Sequence, residues 1–288
     1  MTKKISNYQL GRKYGFSQGR LSVPPEGQLQ WFPQNEWRAE FANAGLLGCS
    51  FIELLAEREK NMSNPLWSVS GRIEIVDLCK KNGLEPYSIC LDYIIDNNLF
   101  NDRDDNTFQN VVECIEVAND LDCKLVIIPL LEKSSANLGN FETISQIIRH
   151  VGQLAETYGI LVCLETLLPA EELNQLINWV ALPNVKVVFD TGNRVLETPN
   201  IRKEIHKLKK NIGHVHIKDK NQYGKNVILG SGLVDFCEVF RALNEIEYLD
   251  ALNFETNRGN SPLNTAKYNI TLCDFFTEES LISVAKPC

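Results

Sequence analysis

Eight short apolar, strand-forming runs alternate with helical segments, and this alternation constrains the fold of the chain more than any other feature. The runs are YGFS (14–17), SFIEL (50–54), EPYSICL (85–91), KLVIIPL (124–130), ILVCLE (160–165), VKVVFD (185–190), HVHIKD (214–219) and ALNFE (251–255). The segments between them carry apolar residues at helical spacing, and some end in a helix-stopping glycine such as Gly83 or Gly159. Such alternation predicts parallel strands joined by right-handed crossovers.

Eight strand and helix units predict a closed (β/α)8 TIM barrel, an α/β fold, as a single domain over residues 1–288. The length of 288 residues suits one barrel of about 250 residues with insertions. An open doubly wound sheet is the alternative, but the first strand is not followed by G-x-G-x-x-G and the sequence has no P-loop. No linker or low-complexity tract divides the chain.

Charge and cysteine content narrow the class of partner and the compartment. The chain has 29 Lys and Arg against 37 Asp and Glu, a net charge of −8, which disfavours nucleic acids and anionic membranes as partners. The nine cysteines are scattered and never spaced as C-x-x-C, so we expect reduced thiols in the core of a cytoplasmic protein. We find neither a signal-peptide pattern nor a run near the roughly 20 apolar residues of a membrane span.

Each of the last four strand-forming runs carries a residue that can bind a metal ion. Glu165 closes the fifth run, Asp190 closes the sixth, His216 lies in the seventh and Glu255 closes the eighth. The C-terminal ends of barrel strands converge on one mouth, so these residues are expected to be neighbours. Three buried carboxylates beside an imidazole would repel one another without a cation. We therefore predict one divalent metal ion bound by all four residues.

Taken singly, these residues have simpler interpretations. Glu165 alone would more commonly cap a neighbouring helix. The Asp-Thr-Gly triplet that starts at Asp190 also occurs in aspartic proteases, but that chemistry needs two such carboxylates in an all-β fold, and the triplet occurs once here. His214 and His216 share a strand face because they are two residues apart. We expect His216 to bind the metal, since a Lys-Asp pair then marks the strand exit, and His214 to support it from behind.

Seven blocks together resemble the xylose isomerase-like barrels, the sugar phosphate isomerase/epimerase family. They are GRLS (19–22), IELLAE (52–57), LETLLP (164–169), FDTGN (189–193), HIKD (216–219), LGSGLVDF (229–236) and NFETNRG (253–259). The resemblance covers nearly the whole chain, and its last four blocks are specific in combination. It implies that Glu165, Asp190, His216 and Glu255 ligate one metal ion. Since family members are often dimers or tetramers, it also implies a homo-oligomer.

Such a site is rich in oxygen ligands, which favours Mn2+ or Mg2+ and also allows Co2+ or Zn2+. The ion would chelate the carbonyl oxygen and adjacent hydroxyl of a small sugar and stabilise the enediolate formed when a neighbouring C–H loses its proton. The resemblance further implies that Glu165 and Glu255 exchange this proton as base and acid. The outcome would be isomerisation or epimerisation, depending on where the proton returns.

Arg20, Asn193, Lys218 and Arg258 are further candidates, all for substrate binding. Arg20 follows the first strand and would either face the same mouth or pair with Glu26. The L-G-S-G loop after the seventh strand lies where barrels often bind phosphate through backbone N–H groups, with nearby lysines and Arg258 supplying charge. A simple tight turn is the alternative, so the sequence leaves open whether the sugar is phosphorylated.

Two positions depart from the ketose 3-epimerases among the relatives that the chain resembles. In those enzymes a substrate-binding His follows the metal-binding Asp by three residues, and an Arg follows the metal-binding His by six. This chain has Asn193 and Gln222 at the two positions. We therefore expect a substrate other than a free ketohexose.

Three other functions fit part of the pattern. A metal-dependent dehydratase acting on a keto-inositol needs the same enediolate, and the sequence does not separate it from an isomerase. An apurinic-site endonuclease resembles the family but uses several histidines to bind three metals, whereas this chain has four histidines, and two of them lie in predicted helices. A barrel that has lost catalysis and only binds a sugar or a partner is the third alternative, and the intact set of four candidate ligands argues against it.

Overall fold

The chain folds into a closed barrel of eight parallel strands in a computed structural model that describes residues 12–25, 28–100, 105–198 and 200–284. The barrel strands are β1 Tyr14–Ser17, β2 Phe51–Ala56, β3 Ser88–Leu91, β4 Leu125–Pro129, β5 Leu161–Glu165, β6 Val185–Asp190, β7 Ile212–Ile217 and β10 Leu252–Phe254. Each strand pairs in parallel with the next barrel strand along the chain, and β10 closes the barrel against β1. The predicted TIM barrel is confirmed.

Helices surround the strands. They are α1 Trp37–Leu46, α2 Val69–Asn82, α3 Tyr93–Asp96, α4 Asp105–Asp120, α5 Phe141–Thr157, α6 Ala170–Val180, α7 Thr191–Glu197, α8 Ile201–Leu208, α9 Phe236–Glu245 and α10 Pro262–Val284. Two features were missing from the sequence prediction. The short helices α3 and α7 follow their strands almost directly, and β8 Asp219–Lys220 pairs with β9 Asn226–Val227 in a small antiparallel hairpin.

Local sequence explains where the longer helices begin and end. The side chain of Ser68 accepts a hydrogen bond from the backbone of Gly71 at the start of α2, and Asp235 caps α9 in the same way. Helix α2 ends at Gly83, whose φ of 69° lies in the left-handed region that costs glycine least. These signals fix the crossovers that return the chain to the start of the next strand.

The core has two parts because strand residues alternate between the barrel interior and the surrounding helices. The larger apolar cluster includes β-strand residues such as Val126, Ile128 and Leu164 together with helix residues such as Ile144. The smaller cluster contains Phe51, Tyr87, Cys90, Leu125, Ile127, Cys163, Val188 and Ala251. Polar side chains on the same strand faces follow this smaller cluster toward the C-terminal mouth, and they form the site described below.

The cysteines lie as the sequence predicts. Seven of the eight within the described residues are buried and free, and the eighth, Cys237, is free and exposed. Cys288 lies outside the described residues. Among the helices that the structure describes, none is long and apolar enough to cross a membrane.

Candidate metal centre

The four predicted metal-binding residues meet at the C-terminal mouth of the barrel. One ligand atom from each of Glu165, Asp190, His216 and Glu255 lies within 4.8 Å of the others. Glu165 and Asp190 are the last residues of β5 and β6, and Glu255 directly follows β10. Asp190 is paired with His216 in the sheet register, which places the strand ends level with the imidazole. We refer to these four residues as the metal centre.

The arrangement of atoms fits a divalent cation. The Nδ1 atom of His216 lies 3.4 Å from Oε2 of Glu255 and 3.9 Å from carboxylate oxygens of both Glu165 and Asp190. His216 and Asp190 are each only 1% exposed. Within the described residues, Nδ1 of His216 has no hydrogen-bond partner. A buried polar atom without a partner is costly, and an ion bound to this nitrogen and to the surrounding carboxylate oxygens would satisfy it.

Lys218 supplies positive charge to the same oxygens. Its Nζ atom forms ion pairs with Oδ2 of Asp190 at 2.7 Å and with Oε2 of Glu255 at 2.8 Å. Its stem passes close to Gly192, where a Cβ atom would lie only 2.9 Å from Cγ of Lys218. The glycine therefore leaves room for the lysine to enter the centre. An ion bound to these two oxygens would have to share them with the ammonium group or displace it.

The two glutamates of the centre have different electrostatic surroundings. Burial raises the pKa of Glu165 to about 8, with Asp190 adding to the effect and His216 opposing it. Burial also acts on Glu255, but Lys218, His216 and Arg20 hold the pKa of that carboxyl well below its usual range. The pKa values of these two carboxyl groups are therefore pushed apart, a pattern also found in sites where two carboxyl groups take different acid and base roles.

Glu53 in β2 lies behind His216 and was missed as a functional residue by the sequence analysis. Its Oε1 atom lies 3.0 Å from Nε2 of His216, and its Oε2 atom lies 3.0 Å from Nε2 of His214. The side chains of Ser17, Ser88 and Asn253 also donate hydrogen bonds to it. Burial would raise its pKa, but the two histidines hold the pKa of Glu53 below its usual range.

The available sequence signal was a glutamate in the middle of an otherwise apolar strand, FIELL. Such a residue needs buried partners, and the alternation of β2 puts Glu53 on the same face as Phe51. The partners come from other strands and could not be inferred from the sequence alone.

His214 is separated from the carboxylates of the metal centre by Glu53 and His216. Its ring is close to Tyr87, with ring centroids 5.9 Å apart, and to His216, at 5.2 Å. Burial lowers the pKa of His214, while Glu53 opposes this shift. The structure therefore places His214 behind His216, on the other oxygen of Glu53, and outside the four-residue group.

Besides Lys218, two more of the predicted substrate-binding residues contact the centre directly. Nη2 of Arg20 lies 3.2 Å from Oε1 of Glu255, and the arginine side chain is fully buried. Nδ2 of Asn193 donates to Oε1 of Glu165 at 3.0 Å, while its backbone N–H donates to Asp190 at 2.7 Å. Helix α7 begins directly after β6, so Asp190 serves as the helix cap and Asn193 is held beside the carboxylates. Glu26, the alternative partner of Arg20, lies outside the described residues.

Arg258 points elsewhere. Its Nε and Nη2 atoms donate to the backbone carbonyls of Gly19 and Leu29, both at 2.6 Å. The guanidinium therefore braces the loop that follows β1. The structure does not bring it into the metal centre.

The glycine-containing loop after β7 is already occupied by a carboxylate of the protein. Backbone N–H groups of Gly230 and Gly232 donate to Oδ2 of Asp219 at 3.0 and 2.8 Å, and Val234 donates to Oδ1 at 3.1 Å. The two intervening N–H groups donate to backbone carbonyls. These groups already have partners within the protein, which supports the alternative of a tight turn over a phosphate-binding loop.

The fold and this geometry define a class of protein, namely a TIM barrel whose mouth carries three carboxylates and one imidazole arranged for a divalent cation. The chain belongs to the xylose isomerase-like TIM barrel family, whose profile matches residues 41–275.

Individual relatives include enzymes and a metal complex. Inosose dehydratase of Bacillus velezensis is 24% identical over 173 residues, and the match spans 52% of this chain and 58% of the dehydratase. D-psicose 3-epimerase of Clostridium cellulolyticum H10, solved with D-tagatose, superposes with a TM-score of 0.73 at 17% identity, covering 92% of this chain and 99% of the epimerase. A xylose isomerase-like barrel of Mycobacterium smegmatis in complex with magnesium has a TM-score of 0.72 at 17% identity, covering 94% and 99%.

Proposed function

We propose that this protein is a divalent-metal-dependent isomerase or epimerase of a small sugar. The observation that carries the proposal is the convergence of Glu165, Asp190, Glu255 and Nδ1 of His216 on one point, where Glu255 is partly exposed and the other three residues are buried. A bound Mn2+ or Mg2+ ion, or alternatively Co2+ or Zn2+, would orient the carbonyl end of the sugar and stabilise negative charge that develops next to it. The similarity to D-psicose 3-epimerase, solved with D-tagatose, supports this choice of substrate.

Glu165 and Glu255 are the proposed proton-transferring pair. They come from β5 and from the end of β10, so they enter the centre from the two ends of its strand series. Positive groups of Lys218 and Arg20 surround Glu255, whereas Glu165 accepts a hydrogen bond from the neutral amide of Asn193. The unequal surroundings suit the removal of a proton by one carboxylate and its return by the other.

The remaining side chains are proposed to position these groups and the substrate. Glu53 fixes the ring of His216 so that Nδ1 faces the centre, as carboxylates behind metal-binding histidines commonly do, and His214 supports Glu53 from the other side. Arg20, Asn193 and Lys218 are proposed to bind sugar oxygens. Arg258 is proposed to act indirectly, through the loop after β1.

Metal analysis and isotope exchange test this function. The purified protein is expected to retain one Mn2+ or Mg2+ equivalent after dialysis and to catalyse incorporation of deuterium beside the carbonyl of a ketose in D2O, followed by NMR. Full metal occupancy without exchange in any ketose or keto-inositol would refute proton transfer at this centre.

A dehydratase acting on a keto-inositol is the second candidate, and the partial match to inosose dehydratase favours it. The same residues would remove the first proton, and the reaction would then expel water. Mass spectrometry of the product separates the two candidates because only the dehydratase changes the mass of its substrate. An apurinic-site endonuclease is less favoured, since His150 and His206 lie on α5 and α8, away from the centre.

The cellular setting also belongs to the proposal. The buried free thiols support a reducing, cytoplasmic compartment. Assembly into a homo-oligomer stays a prediction from the family resemblance.

A further inference from the structure

A cleft of about 670 Å³ opens beside the metal centre, over the loops that follow β1, β2 and β3. Its volume lies in the range of about 300–1,000 Å³ typical of small-molecule sites. Among the residues that the structure describes, six charged ones line it, namely Glu57, Arg58, Glu59, Lys60, Asp92 and Asp96. The four residues of the metal centre do not line this cleft, so it provides separate space for a ligand.

The cleft adjoins the metal centre through two of its own residues. Gln30 lines the cleft and accepts a hydrogen bond from Arg20, whose guanidinium also contacts Glu255. Asp92, at the end of β3, is 5% exposed and lies close enough for the charge of Glu255 to act on it. Arg20 thus links a residue that lines the cleft to a carboxylate of the metal centre.

The charge of the cleft selects against anions. Arg58 contacts the carboxylates of Asp96 and Glu132, and Lys60 contacts Glu113, so both cations are already paired. The carboxylates of Glu57, Glu59 and Asp92 leave the cleft with excess negative charge. Carboxylates accept hydrogen bonds from hydroxyl groups and repel phosphate or another carboxylate.

An aromatic side chain complements these acceptors. Trp31 is partly buried and lines the same cleft. Its flat ring provides an apolar surface for the C–H face of a sugar ring, while the carboxylates bind the hydroxyl edge. The combination suits a polyhydroxylated ring without charge.

We propose that the cleft binds an uncharged sugar ring linked to the reacting sugar, so that the substrate is a neutral glycoside-like ketose and not a sugar phosphate. This inference rests on the proposed function, because it places the reacting carbonyl at the metal centre. The occupation of the loop after β7 by Asp219 agrees with it, since the N–H groups of Gly230, Gly232 and Val234 already donate to this carboxylate.

Three ketoses with the same carbonyl end test the proposal. They are D-fructose, D-fructose 6-phosphate and isomaltulose. Carbon 6 of the fructose unit carries a free hydroxyl group in the first, a phosphate ester in the second and a neutral glucosyl ring, linked through oxygen, in the third. Titration calorimetry with the Mn2+-loaded protein should show isomaltulose binding about tenfold more tightly than D-fructose, and D-fructose 6-phosphate binding more weakly than either. Equal or tighter binding of the phosphate, or no binding of isomaltulose, would overturn the proposal.

Charge-neutralising variants test whether the carboxylates of the cleft cause the preference for isomaltulose over D-fructose 6-phosphate. Asp92→Asn should narrow the preference for isomaltulose over D-fructose 6-phosphate by about fivefold, and the exposed Glu59→Gln should narrow it less. Glu156→Gln makes the same charge change in the last turn of α5, away from the mouth, and should leave the preference unaltered. If all three variants behave alike, the cleft does not set the preference.

Deuterium exchange separates this inference from the proposed function. Tight binding of isomaltulose without exchange would leave the cleft assignment standing and remove proton transfer. Exchange in D-fructose without a preference for isomaltulose would support proton transfer and overturn the cleft assignment.

Discussion

The two halves of the barrel mouth differ in the kind of residue that ends their strands. In the half formed by β5, β6, β7 and β10, the strand ends carry Glu165, Asp190, His216 and Glu255 around one point. In the half formed by β1 to β4, the strands end in the small or apolar residues Ser17, Ala56, Leu91 and Pro129, and charged residues follow in the loops. Under the proposed function, proton transfer takes place at the strand ends and substrate selection takes place in the loops.

Loss of one of the two proposed proton-transferring glutamates gives the largest effect and tests whether the two halves of the mouth act separately. Glu255→Gln should lower the rate of deuterium exchange by about 10²–10⁴-fold, the usual contribution of a general acid or base. Calorimetry should still detect isomaltulose, because the cleft is intact. Wild-type exchange in this variant would remove Glu255 from the mechanism, and Glu156→Gln is the matched control.

The next largest effect is expected for Glu53, which contacts the imidazole of His216 on the side away from the metal centre. Glu53→Gln should weaken metal binding by about 10–100-fold, the range for loss of a carboxylate that orients a ligand histidine. The change should also alter the ¹⁵N shifts of the His216 ring, because the contact of Nε2 with Glu53 fixes its orientation. Unchanged affinity and unchanged ring shifts would assign Glu53 to packing alone.

Removal of the positive charge of Lys218 should strengthen metal binding, whereas Glu53→Gln should weaken it. Lys218→Met retains the apolar stem but removes an ammonium group that contacts Asp190 and Glu255. Metal affinity should rise by about tenfold because a competing cation is gone, while exchange should slow. A weaker metal site in this variant would show that the ammonium assists binding of the ion.

The smallest effect concerns the loop after β1, which borders both halves. Glu40 accepts hydrogen bonds from the backbone of Gly19 and Leu21 at 2.8 and 3.0 Å. Burial raises its pKa to about 7 from an ordinary value of 4.5, so its protonated form is favoured in the folded chain. Its contribution to stability is therefore present below pH 4.5 and is lost as the pH rises to about 7.

Glu40→Gln should remove this pH dependence. Between pH 5 and pH 8, the Tm of the wild type should fall relative to that of the variant by about 2–4 °C for each kcal/mol lost. Differential scanning calorimetry measures this difference, and parallel Tm curves for the two proteins would rule out the effect.

The same contrast explains how much the sequence could predict. Runs such as VKVVFD and ALNFE show both the strand and its terminal carboxylate in consecutive residues, so the barrel and the four candidate metal ligands could be predicted from the sequence. Contacts that depend on which distant segments pair with each other could not be predicted. Glu53 reaches His216 only through closure of the barrel, and Asp219 fills its loop only because the chain turns back on itself in the β8–β9 hairpin.

Lys218 also bears on the order in which this protein is assembled. Its ammonium gives the clustered carboxylates a counter-charge that belongs to the chain itself, present from the moment the barrel closes. With a metal ion bound as proposed, maturation can proceed in two stages, in which the polypeptide reaches its native shape first and acquires the ion afterwards. In proteins whose ligands depend on the ion to fold, these stages are inseparable; here a chelator is expected to remove activity reversibly and leave the barrel standing.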